Sequence, residues 1–248
     1  MIPPSVSSLG CRARREAGSA ARVDLGNSSP ATETYVYIDG FNLYYGCFRS
    51  KERPGWAKYK WLDLEKLCDH LLPRDSVTQI RYYTADVRNQ PPDNRQSDRQ
   101  RAYLAALSTL PRVQIVKGHF LGPRTVRMPE CDAQGRFLGR TVTVLRTEEK
   151  GSDVNLAVDL LHDAVKDRYR FAVVISNDSD LLTPIRFVRE EFGKTVGLVN
   201  PHPGRPSVQL AKAVDFHRRI TETVLQASQL PDEVRKGEAT VHRPASWR

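Results

Sequence analysis

From Tyr35 to Ala227 short β-prone runs alternate with segments of helical period, and that alternation limits what the chain can fold into. Tyr35–Ile38, Val77–Thr84, Val113–Val116, Phe171–Ile175 and Thr195–Val199 read as strands, dominated by β-branched and aromatic residues. Between them, Trp61–Leu72, Asn94–Leu110, Ser152–Val165 and Leu181–Phe192 space their apolar residues as helices do. Asp63 is placed to cap the first of these, Pro111 closes the second, and Gly193 ends the fourth. Ser207–Ala213 and Thr221–Ala227 read as two short helices. Strands separated by helices imply βαβ units, hence an α/β fold whose mostly parallel sheet is covered on both faces. One stretch breaks the rhythm. Pro123–Thr147 holds two β-prone runs, Arg124–Met128 and Arg140–Leu145, around the turn-rich CDAQGRFLG, and reads as a hairpin-like insertion.

The 248 residues suit one domain of ordinary size. Residues 1–33 are rich in Ser, Ala, Arg and Pro without apolar periodicity, and read as a disordered extension. Residues 34–227 form the domain, and 228–248 read as a second polar, disordered tail. No run approaches the roughly 18 apolar residues of a membrane span, and residues 1–33 contain no stretch resembling a secretory core. Cys11, Cys47, Cys68 and Cys131 are scattered, with no CxxC pair, which fits a reducing cytoplasm better than a disulfide framework or a zinc site. Lys and Arg number 38 against 29 Asp and Glu, a net charge of +9 that favours polyanionic partners.

In open α/β sheets ligands bind beyond the carboxyl ends of the strands. The first strand ends in Asp39, Gly40, Phe41 and Asn42; the fourth ends in Ser176, Asn177, Asp178, Ser179 and Asp180. The helix starting at Ser152 carries Asp153 in its first turn, at that same edge, in phase with the core-facing Leu156, Leu160 and Ala164. Asn155, Asp159, His162, Asp163 and Lys166 form a polar stripe expected to face solvent. Asp159 lies six residues, about 9 Å, along the axis from Asp153, so it is expected to support a site without touching its ligand. Taken singly, each acid has an ordinary role: a turn at Asp39-Gly40, caps at Asp178 and Asp180, a helix-dipole partner at Asp153. Gathered at one edge they repel, and a cation relieves the repulsion. Oxygen donors without His or Cys select Mg²⁺ or Mn²⁺, ions that activate water and stabilise charge on a phosphoryl group. Asn42 is placed to orient a water or a phosphate oxygen.

YVYIDGFNLYYG, KGSDVNLAVDLLHDA and VVISNDSDLLTPIRFV together resemble the three blocks of the NYN domain, a branch of the PIN-like nuclease superfamily, with the LabA-like (DUF88) group most similar. The resemblance covers about residues 34–220. It implies a three-layer α/β/α sandwich around about five strands and a Mg²⁺-dependent ribonuclease site. Asp39 and Asn42 match the first block, Asp153 and Asp159 the second, Asp178 and Asp180 the third. Metal ligation is thereby expected of Asp39, Asp153, Asp178 and Asp180. Asn177 stands where the third block usually has glycine. One relative of the IDGFNLYYG type is a monooxygenase of a hydroxylated succinoylpyridine. Such chemistry normally rests on a cofactor, and no GxGxxG follows the first strand here.

The expected partner is single-stranded RNA. Arg88, Arg95, Arg99 and Arg101 cluster around the start of the second long helix, and Lys117 leads into the insertion. Tyr44, Tyr45, Trp56, Tyr59 and Trp61 follow the first acidic block. Phosphate contacts and base stacking need these residue types. A catalytically silent RNA-binding or regulatory module would keep the basic rim without the metal.

Overall fold

The structure is a computed structural model, and it describes residues 33–89, 92–120, 124–146 and 149–247. The extension expected over residues 1–33 lies outside these, except that Glu33 opens the first strand.

Six parallel strands form the central sheet in the order β10-β9-β8-β1-β2-β3. In chain order β1 (Glu33–Asp39) is followed by the short α1 (Gly40–Leu43), by α2 (Leu64–Leu71), and by β2 (Ser76–Thr84). Then come α3 (Gln96–Leu107) and β3 (Val113–Lys117). The insertion is β4 (His119–Phe120), β5 (Arg124–Cys131), β6 (Phe137–Arg146) and β7 (Glu149–Lys150). Next are α4 (Ser152–Val165), β8 (Phe171–Ile175), α5 (Leu182–Glu190), β9 (Thr195–Asn200), α6 (Val208–Ala213) and β10 (Phe216–Arg219). The chain ends with α7 (Glu222–Ala227), β11 (Glu233–Lys236) and β12 (Ala239–His242). The expected α/β class holds, with helices over both faces and six strands where about five were expected. The strand without a sequence signal is β10. It is four residues long, reads FHRR, and sits at the sheet edge with Arg and His exposed, so neither alternation nor hydrophobicity announces it.

Side chains alternate across β1. Val36 and Ile38 enter one core with Leu43, Leu64, Leu67, Ile80 and Leu107; Tyr37 enters the other with Leu156, Leu160, Ile185 and Val196. Asp63 caps α2 as expected, accepting the amides of Glu65 and Lys66. The insertion is the expected antiparallel hairpin, β5 against β6, with β4 and β7 paired at its base.

Two expectations need correcting. The stripe on α4 does not all face solvent. Asp163 is fully buried and Asp159 is half-buried. The reason lies beneath the helix, where β1 and β2 present Tyr37, Arg81 and Tyr83. Asp163 accepts from Tyr37 Oη at 2.8 Å and pairs with Arg81 at 2.9 Å and Arg168 at 2.9 Å. Asp159 accepts from Tyr83 Oη at 2.9 Å and pairs with Arg81 at 2.9 Å. A polar stripe turned inward is stable when the facing strands supply partners.

The carboxyl-terminal residues are not a disordered tail. β11 and β12 form an antiparallel hairpin, and Trp247 is buried against Trp61 and Tyr103, with ring centroids 6.3 and 6.0 Å away. Trp61 Nε1 donates to Pro231 O at 2.7 Å, and Arg243 donates to the carbonyls of Lys58 and Trp247. The aromatic residues carrying this docking lie far apart in sequence, so no local pattern reveals it.

Two stability tests follow. Trp247→Ala should cost about 3–5 kcal/mol, as for other buried aromatic residues, read from urea unfolding. Asp163→Ala should cost a similar ~3–5 kcal/mol, because it removes the buried acceptor of Tyr37 Oη and leaves Arg81 with Asp159 alone, whereas Asp86→Ala, at an exposed ion pair with Lys117, should cost under about 1 kcal/mol.

Candidate active site

The carboxyl ends of β1 and β8 lie side by side, because Ile38 pairs in register with Ile175. Asp39 follows Ile38 and is 5% exposed. Its Oδ1 accepts the amide of Asn42 at 2.9 Å, so Asp39 caps α1; its Oδ2 accepts Ser176 Oγ at 3.1 Å. The same Ser176 oxygen accepts the amide of Asp178 at 3.1 Å. One buried serine thus links the two acidic segments. Asp178 in turn caps the short helical turn at Ser179–Leu181, its Oδ1 accepting the amide of Asp180 at 3.0 Å. Gly40 makes this edge possible: a Cβ there would stand 2.6 Å from the Tyr82 ring and from the carbonyl of Tyr83.

Asn42 closes the edge from above. Its Oδ1 accepts the amide of Asn177 at 3.0 Å and faces His202 Nε2 at 3.0 Å. The amide donor fixes the carboxamide's orientation, so only the Asn42 amino group is left to meet a ligand. His202 belongs to the loop after β9, and Asn200 Oδ1 and Arg53 hold that loop. The segment after α1 reaches this loop through Gly46, where a Cβ would meet Pro201 C at 2.9 Å. Asn177 Oδ1 accepts the amide of Ser207, tying in the approach to α6.

Burial raises the Asp39 carboxyl above the ordinary range, and the charge of Asp178 adds to the rise, against the hydrogen bonds from Asn42 and Ser176. The Asp178 charge acts on Asp39, so the two carboxylates share one electrostatic site. Burial, with Arg53 nearby, lowers the His202 imidazole below its usual value, which keeps it neutral at pH 7.

The other anticipated residues are distributed unevenly. Asp153 is half-buried in the first turn of α4, after Gly151 in the left-handed region at φ 94°. Asp180 is exposed. Asp159 is bound to Tyr83 and Arg81, at the level where Tyr83 pairs in register with Asp39. Among the described residues no three His, Cys, Asp or Glu side chains are gathered closely enough to cage a metal ion. The donor chemistry of Asp39 and Asp178 still fits Mg²⁺, which is typically held by one or two carboxylates, with water and substrate phosphate completing its shell. Of the anticipated RNA contacts, Arg99 is bonded to Asp93, Arg101 pairs with Asp98 and Lys117 with Asp86, while Arg88 and Arg95 are exposed. Tyr59 and Trp61 are core residues.

In the sequence Ser176 is noted only as part of a strand end, with no role of its own, and His202 is not singled out. For His202 a signal existed, since it follows the end of an expected strand, where ligands bind. Ser176 had the same position but no distinguishing composition.

The NYN domain model matches residues 33–220. The chain belongs to the NYN domain family. It is 30% identical over 245 aligned positions to the 6-hydroxy-3-succinoylpyridine 3-monooxygenase HspA of Pseudomonas putida (strain DSM 28022 / S16), covering 88% of this chain and 76% of that protein. It also resembles a crystal structure of a protein of unknown function, VPA0982 from Vibrio parahaemolyticus RIMD 2210633. That likeness has a TM-score of 0.49 at 17% identity, covering 79% of this chain and 98% of the other. Membership in this PIN-like family agrees with the parallel sheet between helical layers. Among the described residues no helix is long and apolar enough to cross a membrane.

The raised Asp39 carboxyl sets a sign. The folded state holds its proton to higher pH than the unfolded chain does. The penalty is therefore absent well below pH 4 and grows as pH rises through the folded value. Asp39→Asn should flatten that fall and leave stability at pH 7 equal or higher, measured by urea unfolding across pH 3–8. A steeper loss in the variant would contradict the assignment.

Proposed function

We propose that this NYN protein hydrolyses RNA phosphodiester bonds with a divalent cation, Mg²⁺ or Mn²⁺, at the edge formed by Asp39 and Asp178. The supporting observation is the serine link: Ser176 donates to the Asp39 carboxylate and accepts the backbone amide of Asp178, so the two acidic segments are tied together at one sheet edge while each acid also serves as a helix cap. Asp39 and Asp178 would hold the cation, with Asp153 and Asp180 as the further carboxylates of the family blocks. The cation, when bound, supplies charge neutralisation on the phosphoryl group. The chain's own part is positional. Asn42, fixed by Asn177 and His202, offers its amino group to a phosphate oxygen. The Ser176 hydrogen bond favours the ionised Asp39 and partly offsets its burial. Asp159 acts through Tyr83 and Arg81, below the substrate. Single-stranded RNA suits a sheet edge with Arg88 and Arg95 exposed on the segments that follow β2, and scattered thiols are compatible with a reducing cytoplasm.

A second reading comes from HspA, whose name assigns it a hydroxylated pyridine and molecular oxygen chemistry. Its likeness covers most of this chain, so the two readings are tested together. Labelled RNA should be cleaved only with Mg²⁺ or Mn²⁺, and the rate should fall as salt rises. Asp178→Asn and Asp153→Asn should each lower it by at least about a hundredfold (roughly 3 kcal/mol), and Asp159→Asn by less. Mg²⁺ should raise the melting temperature of the wild type and not of Asp39→Asn. Wild-type cleavage no greater than that of Asp39→Asn, with oxygen- and NADH-dependent loss of the pyridine, would decide for the second reading.

A further inference from the structure

On the face of the sheet opposite α4, immediately behind Gly40, lies a cavity of about 350 Å³. Tyr44, Phe48, Tyr103 and Trp247 give it aromatic walls, and Tyr82 and Thr84 of β2 line it as well. Arg49, Lys60 and Arg99 also border it. Arg99 is neutralised by Asp93. Lys60 and Arg49 have no carboxylate within ion-pair distance among the described residues, and the nearest ring to the Lys60 ammonium is Tyr44, 5.6 Å from its centroid. Burial, then the charges of Arg49 and Arg99, lower the Lys60 ammonium below the ordinary lysine range. The cavity is therefore bordered by a surplus of positive charge, half-buried at Lys60 and exposed at Arg49.

Tyr82 offers the cavity a hydrogen-bonding group. It is 7% exposed, it lines the cavity, and its hydroxyl makes no hydrogen bond to another side chain or backbone group among the described residues. Burial, and then the nearby Asp39 carboxylate, raise its pKa, so the neutral phenol persists as a donor and the cavity communicates electrically with the acidic edge.

We propose that this cavity binds a flat heteroaromatic ring bearing an anionic arm. The ring packs among the four aromatic walls, the anion meets Lys60 and Arg49, and a ring acceptor meets the Tyr82 hydroxyl. Under the ribonuclease reading, on which this source rests, the ligand is one unstacked nucleotide of the RNA, and the cavity selects the base beside the cut. A free heteroaromatic acid presents the same chemistry.

The test uses the full chain and its tryptophan fluorescence. The probes are the four ribonucleoside monophosphates, their nucleosides, inorganic phosphate and pyridine-3-carboxylate. At least one monophosphate should bind about tenfold more tightly than its nucleoside or than phosphate alone. Lys60→Met should weaken it about tenfold, or ~1.4 kcal/mol, and leave nucleoside binding unchanged. Tyr82→Phe, a conservative change, should alter the preference among bases. Binding of pyridine-3-carboxylate that depends on Lys60, without binding of nucleotides, would keep the cavity and assign it to small acids. Phosphate binding as tightly as any ring-bearing probe would overturn the proposal, as would an unchanged affinity in a Lys60→Met protein of wild-type melting temperature. Nucleotide binding without RNA cleavage would leave the cavity standing and reject the hydrolytic reading. Metal-dependent cleavage with no probe bound and an unchanged KM in Lys60→Met would do the reverse.

Discussion

The ion pairs of Arg81 with Asp163 and Asp159 fix how α4 lies along the sheet. Arg81 stands on β2 beside Tyr37 of β1, and Tyr83 stands two residues on, beside Asp39. Two residues of strand advance by about 6.6 Å, and four residues of helix by about 6 Å. Asp163 and Asp159 therefore match Arg81 and Tyr83 in spacing, and a slide of the helix by one turn would strand a buried charge. Breaking such a pair costs several kcal/mol, enough to select one register. The first turn of α4, with Asp153, is consequently carried beyond the level of Tyr83 and Asp39, six residues or about 9 Å along the helix from Asp159.

Most of the frame was legible in the sequence, and so was the meeting of the Asp39 and Asp178 segments at one sheet edge, for a physical reason. α4 and β8 begin and end where periodicity places them, because their signals are local: apolar spacing for the helix and a β-branched run for the strand. Asp39 and Asp178 were legible because the carboxyl ends of parallel strands share an edge. What escaped depends on distant partners. Asp163 reads as a solvated acid until Tyr37, Arg81 and Arg168 are seen around it. Ser228–Trp247 reads as a polar tail because its one large anchor, Trp247, docks on Trp61 and Tyr103 from elsewhere in the chain. Ser176 is a small residue whose importance lies wholly in what it bridges.

Capping and chemistry are not rival accounts of Asp39 and Asp178. A cap occupies lone pairs on its carboxylate and fixes its rotamer, and both acids are fixed this way. Each carboxylate oxygen retains further acceptor capacity. Local capping thus preorganises the donors, and preorganised groups need no rearrangement when charge develops on a ligand. The cost is borne by Asp39, whose burial resists ionisation and whose hydrogen bonds with Ser176 and Asn42 offset that resistance.

Gly40 is the hinge between two opposite electrostatic environments. On one side the buried Asp39 carboxylate adjoins Asp178; on the other, Lys60 and Arg49 border an aromatic cavity. Tyr82 lies between them, close enough to Gly40 that any side chain there would strike its ring. A cation drawn to the acids and an anion drawn to the cavity would stabilise one another through a partly desolvated region, where charges interact more strongly than in water. Occupancy of either side should therefore strengthen the other, and an equal reciprocal effect on the two affinities is the thermodynamic signature of that coupling.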